Sequence, residues 1–287
     1  MRRSIAFVAA LIVMGACGSP TAQRGPSKIS SDLIEAARAT RSAGAARVVI
    51  HSVAQAGEAT TPIRSAGFGE IDSANRRSHL TMDFGESPVL GSLGSAEIVG
   101  DGLVMYMKWP FMSSLIPGAK PWIKMDLDAI GDRMGIDMSS LMQLGGSNPG
   151  ENVNYLWGAR SVDDLGPANA NGVATTHYKA IVDLRLAAAH APSAIRDEVS
   201  SSVDRLVELL GQDTMPTEIW VDDRHLVRRL KMTIDFTHAD ESLHIPPMKM
   251  ENTTDFVKYG IQTDITPPSP KRVTDLVELL DEADSSQ

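Results

Sequence analysis

The chain has 287 residues, a net charge of −9 and 43% hydrophobic residues, which excludes wholesale disorder and allows one large domain or two small ones. The acidic balance disfavours nucleic acid as a partner, and the chain offers no polybasic patch for anionic lipid headgroups. Its single cysteine, Cys17, excludes an intrachain disulfide, so stability must come from packing.

The N-terminus has the pattern of a secretory signal peptide. A basic start at Arg2 and Arg3 is followed by the apolar run Ile5–Met14 and two small residues before Cys17. The run is about half the roughly 20 residues that a membrane-spanning helix needs. We interpret residues 1–16 as a lipoprotein signal peptide whose lipobox-like end gives the Cys17 thiol a diacylglyceryl anchor, which places the protein outside the cytoplasm on the cell membrane. An ordinary secreted protein with a stray thiol is the alternative.

The segment after the cysteine predicts a tether and then a small helix. Residues 17–30 are small, polar and proline-containing, which is typical of a flexible, lipidated tether. Ser31 can cap a helix from Asp32 to about Ser42. Strand patterns bounded by Gly, Pro, Ser and Asn follow at Arg47–Ala54, Ile63–Ile71 and Arg77–Phe84.

The segment Ala96–Trp109 predicts a β-hairpin. An apolar run reaches Asp101-Gly102, a dipeptide that accepts the positive φ angles of a two-residue turn. The chain then alternates, with one face made of Leu103, Met105, Met107 and Trp109 and the other of Val104, Tyr106 and Lys108. Period two with a lysine on one face indicates a half-buried strand of an antiparallel sheet.

The middle of the chain mixes loop, strand and helix patterns. Pro110–Lys120 is a loop by its prolines and glycine, yet it is apolar, so it folds over the core, gates a pocket or touches a membrane. Pro121–Leu127 predicts a strand, and apolar residues at helical spacing predict an amphipathic helix over Asp128–Leu144. The state of Asn154–Trp157 stays undecided.

The second half predicts two more hairpins and the longest helix. The strands of these hairpins are Ser161–Leu165 with Val173–Leu184, and Thr217–Val221 with His225–Phe236. Between them, an apolar stripe predicts a helix over Ala194–Leu210 that ends at Gly211. A last strand is predicted at Met248–Tyr259.

About ten short strands with singly inserted helices predict an antiparallel α+β domain over residues 31–266, not a parallel α/β domain. Residues 267–287 then form a Pro-rich, acidic C-terminal tail with a short helix at Val273–Ala283. A curved antiparallel β-sheet covered by the long helix and the apolar loop can hold acyl chains in a hydrophobic cavity.

No residue cluster indicates a reaction. None of the seven histidines stands in an H-E-x-x-H arrangement or at other helical ligand spacing, and no hydrolase or nucleotide-binding motif is present. Asp235, His238 and Asp240 are close enough in sequence to bind a metal, but the polar end of a strand explains them equally well. Asp222-Asp223 lies between two strands and is typical of a turn. We expect no enzyme activity, no catalytic residue, no metal and no cofactor; a dispersed serine triad is the weaker alternative.

The distribution of the fourteen methionines is more informative. Methionine is flexible and polarisable, and it recurs where a surface must accommodate variable apolar shapes. Gap-filling in an ordinary core is the alternative for each residue, whereas the pattern as a whole favours a cavity. The methionines on predicted apolar strand faces are Met82, Met105, Met107, Met125, Met232, Met248 and Met250.

Several ordered segments suggest a family. They are the lipobox-like start, then GDGLVMYMKWP, KPWIKMDLDAIG, LWGARSVDDLG, NGVATTHYKAIVDL and TEIWVDDRHLVRRLKMTIDF. Together they resemble the actinobacterial LolA-like lipoproteins, the LppX/LprG group, over about Ser31 to Thr266. The resemblance implies a LolA/LolB-like half-barrel closed by helices around a cavity that binds acylated lipid or lipoglycan, with an envelope transporter as a partner. Met14, where lipoboxes usually carry Leu, and the 267–287 extension depart from the family pattern.

The combined prediction is a membrane-anchored lipoprotein that binds lipid or lipoglycan and takes part in its transport or presentation. The alternative is a structural or signalling lipoprotein with a filled core that acts through protein–protein contacts. The residues predicted to line the cavity are Leu80, Met82, Phe84, Leu103, Met105, Met107, Ile123, Met125, Tyr178, Val182, Leu230, Met232, Ile234 and Phe236.

Overall fold

The computed structural model describes residues 26–57, 61–87, 91–111, 116, 118–139, 151–190, 193, 196–241 and 246–279. The predicted signal peptide, Cys17 and most of the tether lie outside these residues. Among the helices within them, none combines the length and the apolar character that crossing a membrane requires.

Four α-helices and fourteen strands, several of the strands very short, lie entirely within the described residues, and short helical runs at 110–111, 138–139 and 276–279 border residues outside them. The helices are α1 (Pro26–Ser42), α2 (Leu127–Met134), α3 (Leu184–Ala189) and α4 (Arg196–Leu210), with 3-10 helices at Glu151–Gly158 and Pro270–Arg272. The strands are β1 (Ala45–Ala56), β2 (Ile63–Asp72), β3 (Arg77–Asp83), β4 (Glu86–Ser87), β5 (Gly91–Ser92), β6 (Ser95–Asp101), β7 (Val104–Lys108), β8 (Trp122–Asp126), β9 (Ala159–Ala170), β10 (Val173–Asp183), β11 (Thr214–Val221), β12 (Val227–Asp235), β13 (Met248–Tyr259) and β14 (Val273–Asp275).

Within the described residues, 12 of these strands form one curved sheet that does not close, in the order β14-β8-β7-β6-β3-β2-β1-β13-β12-β11-β10-β9. Neighbouring strands are antiparallel except β14, which runs parallel to β8. The strands β4 and β5 pair only with each other. The predicted α+β class with a curved antiparallel β-sheet is confirmed.

The strand register collects the apolar residues on the concave face. Tyr178 lies opposite Ile219, Ile219 opposite Leu230, and Leu230 opposite Thr254, which lies opposite Ile50. All five side chains are buried. Because cross-strand partners point to the same side of a sheet, this row forms a continuous inner surface across four neighbouring strand pairs.

Helices cover this surface. α1 packs against the 3-10 helix 151–158 and against β9, α3 packs against α4, and α2 contacts β7 and β8. In α1, Leu33, Ala36 and Ala37 are completely buried, as the 3.6-residue period of an amphipathic helix requires. The helix layer therefore lies inside the curve of the sheet.

Two glycines of β2, Gly67 and Gly69, allow close contact between β2 and β3 on the inner surface. A Cβ added to Gly67 would lie 2.2 Å from the Met82 sulfur, and one added to Gly69 would lie 2.0 Å from the carbonyl oxygen of His79. Any larger residue would displace β3 from β2.

Several element boundaries differ from the predictions, and for three of them the local contacts or backbone geometry are informative. The helix predicted over Asp128–Leu144 is interrupted after Met134, because Gly135 adopts φ 69° and caps it in the left-handed conformation. Residues 138–139 are helical again, and 140–144 lie outside the described residues. Leu184 begins α3 rather than ending a strand, since the Asp183 side chain accepts a hydrogen bond from Leu186 N. α1 begins at Pro26, so the end of the predicted tether is helical.

The C-terminal segment begins differently from the helix predicted at Val273–Ala283: a short strand comes first, residues 276–279 are helical, and 280–283 lie outside the described residues. Val273–Asp275 forms β14, and Lys124 Nζ lies 2.9 Å from an Asp275 carboxylate oxygen. Val273 also packs against a small cluster formed by Val99, Trp122 and Ile265 on the convex side of the sheet. Long-range pairing thus holds a segment whose local pattern is helical.

Candidate functional site

A cavity of about 290 Å³ lies between the concave face and the helices. Its floor comes from strands β11–β13, in which every second residue faces inward. Met232 lies opposite Asn252, and Leu230 lies opposite Thr254, so each pair adds one apolar and one polar side chain to the floor. Met215, Ile234 and Phe236 complete this side of the cavity.

The roof of the cavity comes from three helical segments. α4 contributes Leu206 and Leu210, the C-terminal part of its apolar stripe, just before the positive-φ Gly211 ends the helix. α3 contributes Leu184. Asn152 and Tyr155 of the 3-10 helix 151–158 supply the remaining lining. The roof is thus made from elements that also pack against one another.

The lining side chains become more buried from the C-terminal end of β12 towards the middle of the strand. Phe236 and Ile234 are half-buried, Met232 is 7% exposed and Leu230 is 2% exposed. Thr254, opposite Leu230, is also buried. The closed end therefore lies at Leu230 and Thr254, and the end nearer to solvent lies at Phe236.

The lining is chemically simple. Among the described residues that line the cavity there is no Asp, Glu, Lys, Arg or His. The polar groups are those of Asn152, Tyr155, Asn252 and Thr254. The Asn252 Oδ1 accepts a hydrogen bond of 3.3 Å from the Ser52 hydroxyl, which fixes the amide on the inner surface. Such a lining binds apolar groups and a few uncharged polar ones.

Charged groups are instead paired on the convex face. Lys231 lies 2.8 Å from Glu251, and the hydrogen bond to that carboxylate raises the Lys231 pKa. At the end of β12, the Thr237 hydroxyl lowers the pKa of Asp235 to about 2, aided by Lys249. The sheet thus separates an ion-paired outer surface from an apolar inner one.

The structure distributes the predicted lining residues over three environments. Four of them, Leu230, Met232, Ile234 and Phe236, meet in the cavity. The buried core contains Leu80, Met82, Ile123, Tyr178 and Val182. The half-buried residues are Phe84, Leu103, Met105, Met107 and Met125. Met105, Met107, Ile123 and Met125 share the inner face with Leu80, because Leu80, Ile98, Met107 and Ile123 lie opposite one another in register.

Two of these residues lie outside the strands to which the alternation assigned them. Leu103 belongs to the turn between β6 and β7, where its carbonyl oxygen accepts a hydrogen bond from Leu127 N. Phe84 follows β3, and its ring lies 4.6 Å from that of Trp109. The turn between β6 and β7 lies one residue later than predicted, because Gly102, at φ 62°, is its first residue.

The long helix was predicted to cover the cavity, and α4 does so, but Leu206 and Leu210 were not named among the lining residues. Both belong to the predicted helical stripe, whereas which residues of the stripe reach the cavity is a tertiary property. For Asn152, Tyr155, Asn252 and Thr254 the local sequence contains no comparable signal.

The other chemical candidates resolve into structural roles. Asp222 accepts hydrogen bonds from Arg224 N and Leu226 N and pairs with Arg228 at 2.7 Å, which is turn chemistry as predicted. Asp235 binds Thr237 and Lys249. Within the described residues, no group of three or more His, Cys, Asp or Glu side chains has the arrangement of a metal site.

Comparison with known proteins gives distant similarities. No family model matches the chain. An uncharacterized 31.2 kDa protein of Streptomyces griseus is 26% identical over 203 residues, which cover 66% of this chain and 63% of that relative. The chain therefore spans less than two thirds of the relative's length.

The solved structures to which the chain is similar include two mycobacterial lipoproteins. The crystal structure of LppX from Mycobacterium tuberculosis gives a TM-score of 0.48 at 10% identity, covering 84% of this chain and 100% of that one. LprF from Mycobacterium bovis gives a TM-score of 0.46 at 13% identity, covering 85% and 98%. A LolA superfamily protein from Nitrosomonas europaea gives 0.28 at 10% identity, covering 83% and 97%. These neighbours include the group that the sequence motifs resemble.

Proposed function

We propose that this protein is an envelope lipoprotein that binds the acyl part of a lipid or lipoglycan in the cavity beneath β11–β13 and takes part in its transport or presentation. The observation that carries the proposal is the cavity itself: about 290 Å³ of space under a curved sheet, lined mainly by Leu, Met, Ile and Phe. The lipoprotein neighbours LppX and LprF are consistent with it.

Burial of acyl chain supplies the driving force. Each methylene removed from water contributes about 0.8 kcal/mol before ordering costs. The cavity volume of about 290 Å³ is close to the lower end of the roughly 300–1,000 Å³ typical of ligand pockets. The cavity therefore suits one acyl chain, or part of one, better than several.

The lining provides adaptable contacts for such a chain. Met215 and Met232 are buried, and their unbranched side chains can follow acyl chains of different shape. Leu206 and Leu210 close the cavity from α4, a helix joined to β11 by a short connection at Gly211.

The proposed anchor is the Cys17 diacylglyceryl group, followed by a tether that ends where α1 begins at Pro26. Two acyl chains hold a protein at a membrane far more firmly than one. The cavity would then stay close to the membrane from which a lipid is taken or to which it is given.

Native mass spectrometry after mild extraction tests the binding function. We expect the protein to carry a co-purified lipid, seen as a mass above that of the processed chain and removed by organic solvent. A clean apo mass from several preparations would contradict the proposal.

The alternative of a filled core has one supporting observation. Leu80, Met82, Tyr178 and Val182, all predicted to line a cavity, are packed in the main core. Side chains therefore fill more of the concave face than the sequence predicted, while the space beneath β12 remains open.

We propose that the protein has no catalytic role. Turnover in a broad screen of esters and glycosides would contradict this proposal.

A further inference from the structure

We infer that the cavity selects acyl lipids which carry an uncharged hydrogen-bonding group, such as an ester carbonyl, in their buried part, with Asn252 as the positioning residue. This inference rests on the proposed function and specifies its ligand class. Three observations lead to it.

First, the described lining contains no cation that would pair with an acid. The closest basic residues along β12 and β13 belong to the opposite face, where Lys231 pairs with Glu251 and Lys249 pairs with Asp235. A carboxylate moved from water into such a lining would remain unpaired, which is strongly unfavourable. An ionised fatty acid is thus a poor occupant of the interior.

Second, the interior is not purely apolar. Asn252 lies at the level of Met232, between the half-buried Ile234 and the buried Leu230. Asn252 is half-buried and lines the cavity deeper than Phe236. A plain hydrocarbon bound there would displace water from the amide and offer it no partner, and an unmade hydrogen bond of this kind costs free energy.

Third, the Asn252 amide has one hydrogen-bond donor, its Nδ2 group, that can serve a ligand. Its Oδ1 accepts from the Ser52 hydroxyl, and no described residue accepts a hydrogen bond from its Nδ2. The Nδ2 group can donate to a carbonyl or hydroxyl oxygen of the bound lipid. Thr254, one step deeper along β13, adds a second polar group on the same face.

Three probes of equal chain length separate these effects: methyl palmitate, palmitate at pH 8 and hexadecane. Each competes with the fluorescent apolar probe N-phenyl-1-naphthylamine for the full chain after its co-purified lipid has been removed. We expect the ester to bind tightest, about tenfold better than the alkane for one hydrogen bond. The carboxylate should bind at least about tenfold more weakly than the ester.

The variant Asn252→Leu should bind ester and alkane equally, whereas Thr253→Val, one residue away on the convex face, should keep the wild-type preference. Asn252→Ser, which is too short to reach the same group, provides a second variant in case the leucine disturbs folding. Equal or tighter binding of palmitate, or an ester preference that survives in both Asn252 variants, would overturn the inference while leaving lipid binding intact. Failure of all three probes to bind would instead contradict the proposed function and this inference together.

Discussion

Met232 and Asn252 lie directly opposite each other on β12 and β13, and both side chains line the same cavity. The pair places a flexible apolar side chain beside a fixed amide in the floor. Adding bulk at Met232 fills space, whereas removing polarity at Asn252 changes selectivity. The two positions therefore separate the volume of the site from its chemistry.

Substituting Met232 with Trp should block the cavity. We expect lipid uptake to fall by at least about tenfold while the free energy of unfolding changes by less than the roughly 1–3 kcal/mol that overpacking a filled core costs. Uptake is measured by probe displacement and stability by urea unfolding. Met105→Trp is the matched control, because Met105 shares the concave face but lies on β7 in the other half of the sheet. A loss of stability in Met232→Trp with unchanged uptake would indicate a filled core.

Substituting Gly69 with Ala should destabilise the sheet. A Cβ there would lie 2.0 Å from the carbonyl oxygen of His79, a backbone atom that cannot rotate away. We expect a loss of about 1–3 kcal/mol, measured by chemical denaturation. Gly67→Ala should cost less, since its closest neighbour is the flexible side chain of Met82 and the nearest backbone atom, the Thr81 carbonyl oxygen, lies farther away at 2.6 Å. The reverse order of the two losses would contradict this interpretation of the β2–β3 contact.

Substituting Thr40 with Val should weaken the attachment of α1 to the sheet. The Thr40 hydroxyl accepts a buried hydrogen bond of 2.8 Å from Val227 N, next to the Tyr259 hydroxyl, whose pKa is raised by burial. Leaving this N–H without a partner should cost about 1–3 kcal/mol in thermal or urea unfolding. Thr40→Ser keeps the acceptor and should recover most of the loss. Equal destabilisation by both variants would mean that packing of the methyl group matters more.

Stability should fall in acid, partly through Asp235. The Thr237 hydroxyl lowers its pKa from an ordinary value of 3.8 to about 2. A carboxylate with a lowered pKa in the folded state stabilises that state fully above pH 3.8, and this contribution is lost as the pH falls towards 2. Thr237→Val should flatten the pH dependence of the urea midpoint in this window, and Thr237→Ser should retain it. Identical profiles for the two variants would exclude the hydroxyl as the cause.

The alternation of side chains predicted the inner face of β12 well, because a strand with one buried face must place apolar residues at every second position. Leu230, Met232 and Ile234 were assigned correctly to the inner face. The positive-φ turn at Asn171-Gly172 and the end of α4 at Gly211 were equally predictable, since few residues tolerate that conformation.

The location of the empty space was not predictable from alternation. Tyr178 and Met232 have the same inward pattern and both are buried in the main core, yet of the two only Met232 lines this cavity. The difference depends on where α4 and the 3-10 helix 151–158 lie over the sheet. β14 was missed for a similar reason, because its pairing with β8 and the contact between Lys124 and Asp275 span distant parts of the chain.

The most direct test of the cavity is NMR of the protein labelled with ¹³C at its methionine methyl groups and titrated with an acyl ester. We expect the Met215 and Met232 methyl signals to shift and to show nuclear Overhauser contacts with the acyl chain, since both line the cavity beneath β12. Binding that leaves both signals unchanged and produces no such contacts would show that the lipid binds elsewhere, and would contradict the account.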